Sequence, residues 1–473
     1  MISISVWRRA SAVLALAMAA ASLSACANPV TRAVGGVFGG DDDEKNKENE
    51  PAEDERISIL AFEETLEADP RYAGAQISLP PSYKNTSWTQ PGGEADHTLH
   101  HLSAEASLQV AWKADVGKAS ERAVLTSPPI AADGKVFVID AAANVTAFSI
   151  ETGERIWRSE LTPDIDEKFR VQEIFTRPKA AEIGFGGGVA YDNGRLYVTS
   201  GFGFVAALEA ETGKELWRYQ ASAPIRTPPT ASRGSVFFVT NTNEFVSVDE
   251  ETGAKNWSYQ SFEESARILS SASPAAAGDL VIAPFSSGEI VAFLTDTGRP
   301  VWNDTLAKTT RLTALSTLND IAGSPVIDRG LIYVVSHAGR LVAIDIRSGQ
   351  RAWEVPIASL QMPWVAGDYI FVISVDAELA CVSRTDGAVL WVSKLPRYKK
   401  VKKRRGRIAW AGPILVGDYL ILVSTEGDIV KVSPQDGSIV DEKEIGGGFI
   451  VSPIVADETI FVLNEEGKLI ALH

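Results

Sequence analysis

The sequence predicts an all-β chain, an eight-bladed β-propeller of four-stranded blades whose ring is closed by an N-terminal strand completing the last blade. Three observations carry this prediction. The first is an eleven-residue stretch, Ala207–Trp217 (A-L-E-A-E-T-G-K-E-L-W), which returns in worn copies at Ala147–Trp157, Ser247–Trp257, Ala292–Trp302, Ala343–Trp353 and Cys381–Trp391. A seventh copy, Lys431–Asp441, keeps an Asp-Gly turn but ends in Asp441 where the others have Trp. Self-similarity at such a spacing marks a repeat architecture.

The second observation is a series of eight short apolar runs: Val136–Ile139, Leu196–Val198, Val236–Val239, Leu280–Ala283, Leu331–Val335, Tyr369–Ile373, Tyr419–Val423 and Ile460–Leu463. Most follow a turn pair such as Asp133-Gly134, Asn193-Gly194 or Gly278-Asp279, which suits a tight hairpin. Before each turn lies another apolar stretch, and after each run comes a third strand, then the Gly turn and the strand bearing Trp. Four short strands in about 46 residues is the size of a propeller blade. No unit carries the 3.6-residue apolar period of a helical solenoid.

The third observation is that the last unit stops at His473 with three strands. Leu108–Ala114 (L-Q-V-A-W-K-A) supplies the fourth from the front of the chain, with Trp112 in the repeat's Trp slot. This closes the ring and removes its open edges. In the repeat, Gly213 takes the left-handed turn position. Ala207 leaves room on the blade face, and Trp217 is expected to lie over that gap and lock adjacent blades. Trp112, Trp157, Trp217, Trp257, Trp302, Trp353 and Trp391 are therefore expected to be structural fasteners, each contributing a few kcal/mol by burial.

The chain divides into four parts. Residues 1–25 read as a signal peptide: Arg8 and Arg9 precede an apolar run from Ala10 to Ala21 that is too short to span a bilayer. Leu23-Ser24-Ala25-Cys26 is similar to the bacterial lipobox, which makes Cys26 the expected lipidation site. Residues 26–56 form an acidic tether around Asp41-Asp42-Asp43-Glu44, too polar to pack. Residues 57–106 are irregular, broken by Pro80-Pro81 and Pro91-Gly92-Gly93, and are expected to lie extended against the outside of the propeller. The propeller itself spans residues 107–473.

The formal net charge of −16 argues against nucleic acid as a partner, since phosphates need a basic face. Cysteine is limited to Cys26 and Cys381, so no disulfide framework is present, and Cys381 occupies the small-residue slot of its repeat. His97, His100 and His101 lie close together without the context of a metal site, and no metal is expected. Against the acidic background, Arg397–Arg407 (R-Y-K-K-V-K-K-R-R-G-R) is basic at eight of eleven positions. Anionic lipid headgroups, an acidic partner or a solvated connection all fit that run. Leu161–Gly187, with Phe169 and Phe175, is long for a link between blades and is a candidate docking loop.

The eleven-residue copies resemble the tryptophan-docking motif of quinoprotein dehydrogenases and the repeats of the BamB family of the outer-membrane β-barrel assembly machinery. Membership in the first group implies a quinone in the central tunnel, a calcium ion, a carboxylate base and often a disulfide between adjacent cysteines. The sequence has no adjacent cysteines and no haem motif. The second resemblance extends to Trp88–Leu102 and Arg407–Leu415. It implies a non-enzymatic scaffold without a cofactor, lipid-anchored on the periplasmic face of the outer membrane. That scaffold docks on the POTRA domains of BamA and assists unfolded outer-membrane protein clients. The resemblance places the BamA contact in Ala266–Ser273 and Arg311–Pro325, with Arg267, Ile268, Leu269, Arg311, Leu312 and Asp320 as contact residues. The alternatives are a quinone-dependent dehydrogenase and a propeller serving another envelope complex.

Overall fold

The computed structural model describes residues 66–117, 119, 125–163, 184, 186–262, 272–307 and 320–473. All belong to one compact unit, Thr65–His473. They form eight four-stranded antiparallel sheets. Blades 1 to 7 follow one another over residues 130–160, 187–220, 230–260, 275–305, 326–355, 364–394 and 410–444. Blade 8 takes three strands from residues 454–472 and its fourth from Val110–Asp115, which runs antiparallel to Lys468–Leu472. The ring is thus closed by the N-terminal strand that the sequence predicts. One two-stranded hairpin, Tyr398–Lys400 with Arg405–Arg407, stands between blades 6 and 7.

The first strand of each blade packs beside the first strands of its neighbours, so these strands line a central channel. The second and third strands are almost wholly buried, as in Val136–Ile139 and Val145–Phe148. The fourth strand is outermost and alternates exposed with half-buried residues. The first two strands join through two-residue turns. Asp133-Gly134 and Asn193-Gly194 have positive φ at both positions, and Gly278, Gly367 and Gly417 at the first, as the turns that match strand twist require.

The Trp side chains sit at the joints between blades. Trp217 lies directly across from Ala207, and Ala207 from Tyr197, so the indole leans over the small residue onto the Tyr197 ring, 6.0 Å between centroids. A register shift after the Ala207–Trp217 pair recurs at the matching place in the other repeats and re-aims the strand. The other face of each indole meets the Gly turn of the next blade. A Cβ added to Gly213 would lie 2.5 Å from Trp157, and one added to Gly253 would lie 2.5 Å from Trp217. Each indole N–H also donates to a backbone carbonyl of that same turn. Trp112 bonds to Ile150, Trp157 to Ala210, Trp217 to Glu250, Trp257 to Thr295, Trp302 to Ile346, Trp353 to Arg384 and Trp391 to Pro434, at 2.8–3.2 Å.

This geometry explains the copy that lacks Trp. A Trp needs the turn between the third and fourth strands of the following blade. In blade 8 those strands come from opposite ends of the chain, so no such turn exists. Blade 7 has nothing to dock on, and Asp441 there pairs instead with Lys431 of its own blade at 3.1 Å. The joint is held differently: Lys443 donates to the carbonyl of Leu108, just before the closing strand of blade 8.

Gly134 and Gly213 share a left-handed φ, +69° and +74°, but a Cβ meets nothing at Gly134 and the Trp157 ring at Gly213. Gly134→Ala is expected to cost about 1 kcal/mol of backbone strain. Gly213→Ala is expected to cost about 3 kcal/mol more, because it also unseats an indole. Denaturation midpoints of the two variants check this, and equal losses would show that the indole is not the fastener.

Candidate functional site

The ring has two unlike faces. The two-residue turns and the Trp-docking turns share one face, since Ala210 N–H donates to Gly194 and Glu250 N–H to Gly234. The blade-to-blade connections share the other face with the turns between second and third strands, as Ala221 N–H donating to Gly203 shows. We call the first the turn face and the second the loop face.

Residues 66–79 lie on the outside of the ring, as the sequence predicts, but residues 83–103 do not. The segment touches blades 6 and 7 at their turns, where Tyr72 donates to Asp386 and Gln435 brackets the backbone of Ile77. It then enters the channel and makes one full circuit. Asn85 bonds to Val455 and Asp457 of blade 8, Trp88 to Ala131 of blade 1, Thr89 to Tyr191 of blade 2 and Gln90 to Ala231 of blade 3. Ala95 bonds to Ala276 of blade 4, Asp96 and Thr98 to Ile327 of blade 5, His100 to Trp364 of blade 6 and Leu102 to Leu415 and Gly417 of blade 7. The circuit closes where Tyr83 N–H donates to His101 and Ser103 N–H to Tyr83. The physical reason is that the innermost strands have one unpaired edge. Buried backbone groups must find partners, and this segment supplies them to seven blades in order and accepts the Trp364 indole N–H of blade 6 on the His100 carbonyl.

Several side chains make the plug fit. The Gln90 amide acts as a surrogate peptide group, donating to Ala231 C=O at 2.7 Å and accepting from its N–H at 3.2 Å. Trp88 is fully buried and stacks on Trp364, 6.2 Å between centroids. Gly92 and Gly93 let the chain double back, because a Cβ on either would fall within 2.3 Å of His97 or Leu99. The sequence signal was present as Trp-x-Gln-Pro-Gly-Gly, but a Gly pair reads equally as a break in structure. Between Trp88, Pro91 and the connections of blades 5 to 8 remains a cavity of about 70 Å³.

His97 and His101 are satisfied by carbonyls. His97 is buried with Nδ1 2.7 Å from the Pro325 oxygen, and burial lowers its pKa to about 4. Neutral His97 donates through Nδ1, which leaves Nε2 to accept from the Ser273 hydroxyl at 3.3 Å. His101 faces the carbonyls of Pro80 and Gly417, and His100 lies 3.7 Å from Asp328. Among the described residues no three His, Cys, Asp or Glu side chains converge on a point. Cys381 is fully buried across from Trp391, and burial pushes its thiol pKa up.

The described ends of the two expected contact stretches, Ala272–Ser273 and Asp320–Pro325, lie on the loop face. Arg267, Ile268, Leu269, Arg311 and Leu312 lie outside the described residues, as do Cys26, Phe169 and Phe175. The roots of the two stretches are described, and they meet: Ser273 N–H donates to Ser324 Oγ at 3.0 Å, with His97 of the plug beneath. Asp320 is 2% exposed, and its carbonyl accepts from His337 N–H. So placed, Asp320 braces the loop root rather than offering a free carboxylate. The docking tryptophans lie at the blade joints, away from this face.

A family model described as outer membrane protein assembly factor BamB matches residues 92–174 and 141–393, together more than half of the chain. The chain belongs to the BamB family. BamB of Moranella endobia is 23% identical over 344 residues, covering 73% of this chain and 84% of that protein. The crystal structure of BamB from Moraxella catarrhalis superposes with a TM-score of 0.64 at 19% identity, covering 77% of this chain and 99% of that one. A europium-containing methanol dehydrogenase superposes with a TM-score of 0.63 at 15% identity, covering 80% and 89%. At these identities the two structures show the shared fold alone, and the fold serves both an assembly factor and an enzyme. In this BamB-family chain the axis of the ring is occupied by residues 83–103, which hydrogen-bond to the blades around it.

His97 gives the plug a pH signature. The unfolded chain takes up a proton near pH 6.5, whereas the folded chain resists it down to about pH 4. The folded state binds fewer protons in that window, so stability is full above it and lost as pH falls. From about pH 7.5 to about pH 5 the loss is expected to be about 2 kcal/mol. Burial raises the carboxyl pKa of Asp96, which works in the opposite sense, so the readout is the difference between the wild type and His97→Asn in denaturant titrations. If that variant keeps the full pH dependence, His97 is not its source.

Proposed function

We propose that this chain is a non-enzymatic scaffold of outer-membrane protein assembly, anchored through a lipid on Cys26 and docked on the POTRA domains of BamA. The observation that carries the reading is the plugged channel. The place where a quinoprotein holds its cofactor is filled by the chain's own residues 83–103, hydrogen-bonded to every blade. A ring so filled is a rigid frame that presents loops. Family membership supplies the direction, since the matching family model and several relatives are named outer membrane protein assembly factors. The acidic tether of residues 26–56 lets the ring reach a partner away from the membrane surface.

In this reading the contact surface is the pair of stretches whose roots meet at Ser273 and Ser324. Arg267, Ile268 and Leu269 lie on one, and Arg311 and Leu312 on the other. A cluster of Arg and aliphatic side chains has the composition of a small interface hot spot, in which a few anchors carry most of the energy. Asp320 sets the second loop's exit from the ring.

A pull-down of the full-length chain by immobilised POTRA domains of its cognate BamA tests the reading. Arg311→Ala with Leu312→Ala is expected to weaken capture by at least about tenfold with the thermal midpoint unchanged. No enrichment of the wild type over a blank resin would overturn the docking claim and favour another envelope complex. Pyrroloquinoline quinone added with calcium is expected to give no bound absorbance, and a stoichiometric bound spectrum would favour the enzyme.

A further inference from the structure

The basic run between blades 6 and 7 has no part in the docking proposal, and its structure separates it into two regions. It is a built hairpin, Tyr398–Lys400 paired with Arg405–Arg407, with a single 3-10 turn, Val401–Lys403, at its end. At the root, three cations are tied to the ring. Arg397 and Arg407 both reach Asp376 in a turn of blade 6, Arg407 also donates to the carbonyl of Val375, and Lys399 pairs with Glu426 in a turn of blade 7. Both turns belong to the loop face.

At the tip the situation is reversed. Lys400, Lys402, Lys403, Arg404 and Arg405 have no acidic or hydrogen-bonding side-chain partner among the described residues. No Asp or Glu lies between Arg397 and Arg407. At the apex Val401 is 75% exposed, with cations on both sides. A protruding arm that neutralises its base, leaves five charges bare at its end and caps them with an exposed apolar side chain is built for contact at the end.

We infer that the tip of this hairpin docks on the surface of an anionic phospholipid bilayer, its cations among the phosphates and Val401 in the interfacial layer. Two physical points favour a bilayer over an acidic protein. The tip offers charge plus an apolar apex and no patterned hydrogen-bonding side chains, which suits a diffuse anionic plane with an apolar interior. The second point is reach. The body of the chain is acidic and is repelled by such a surface. Three residues of strand carry the tip roughly 10 Å from the hairpin root, about one Debye length at physiological salt. The cations therefore enter the headgroup potential while the acidic body stays where that potential is largely screened. Each cation near an anionic leaflet strengthens binding roughly fivefold. The inference is independent of the POTRA reading, because it concerns a different element and a different partner.

The test uses the full-length chain with an environment-sensitive dye on Val401→Cys, in a Cys26→Ser background that removes the proposed lipid. Cys381 is buried and does not compete for the dye. Phosphatidylglycerol-containing vesicles are expected to blue-shift the dye, and pure phosphatidylcholine vesicles to leave it unchanged. Adding Lys402→Ser and Lys403→Ser is expected to raise the half-maximal lipid concentration roughly 25-fold, with an unchanged thermal midpoint. Salt at about 1 M is expected to abolish the shift. Equal shifts with both vesicles, or none with either, would overturn the inference. A response to polyglutamate with none to anionic vesicles would also overturn it and identify an acidic protein surface instead.

Discussion

Seven of the eight blade joints are held by one indole seated on one Gly turn, and most other features follow from that contact. The indole needs a small residue beneath it, an apolar residue beyond that, and a turn with no side chain on the neighbouring blade. Ala207, Tyr197 and Gly253 do this for Trp217, and Cys381, Phe371 and Gly437 for Trp391. The N–H of each indole bonds a carbonyl of the same turn, so the fastener is directional as well as apolar. No covalent cross-link is required.

The same contact dictates where the ring is different. A chain that closes a ring by pairing its two ends must break one blade, and the break removes one turn. Blade 7 therefore has no site for a tryptophan, and Asp441 is the trace of that missing turn rather than a worn repeat. The joint is carried by Lys443, which reaches the Leu108 carbonyl of blade 8, and by the plug, whose circuit closes beside it where Tyr83 pairs with His101 and Ser103. The chain thus closes its ring twice, once at the rim through Val110–Asp115 and once at the axis through residues 83–103.

The inner closure also bears on function. Enzymes and assembly factors share this fold, so the fold by itself does not name the function. Here the axis holds Trp88, Gln90 and His97, whose bonds run to the backbone or to a structural serine. The docking proposed above places function on the loop face, where Ser273 and Ser324 tie together the roots of two connections and the basic hairpin stands between blades 6 and 7.

Much of this was legible in the sequence. The repeated Gly-to-Trp spacing determined the blade count, the period-two strands, the missing Trp of the seventh copy and the closing strand around Trp112, because those features are local or periodic. The path of residues 83–103 was not legible. An irregular stretch rich in Pro and Gly carries no period, and its hydrogen bonds go to residues up to several hundred positions away, as Asn85 to Val455 shows. Asp320 likewise read as a surface acid and is buried, since burial depends on how neighbouring blades converge. Sequence by itself determined the unit, its fastener and the number of copies. Only the tertiary structure decided what fills the axis, because the unpaired inner edges that the plug satisfies exist only once eight blades have closed around it.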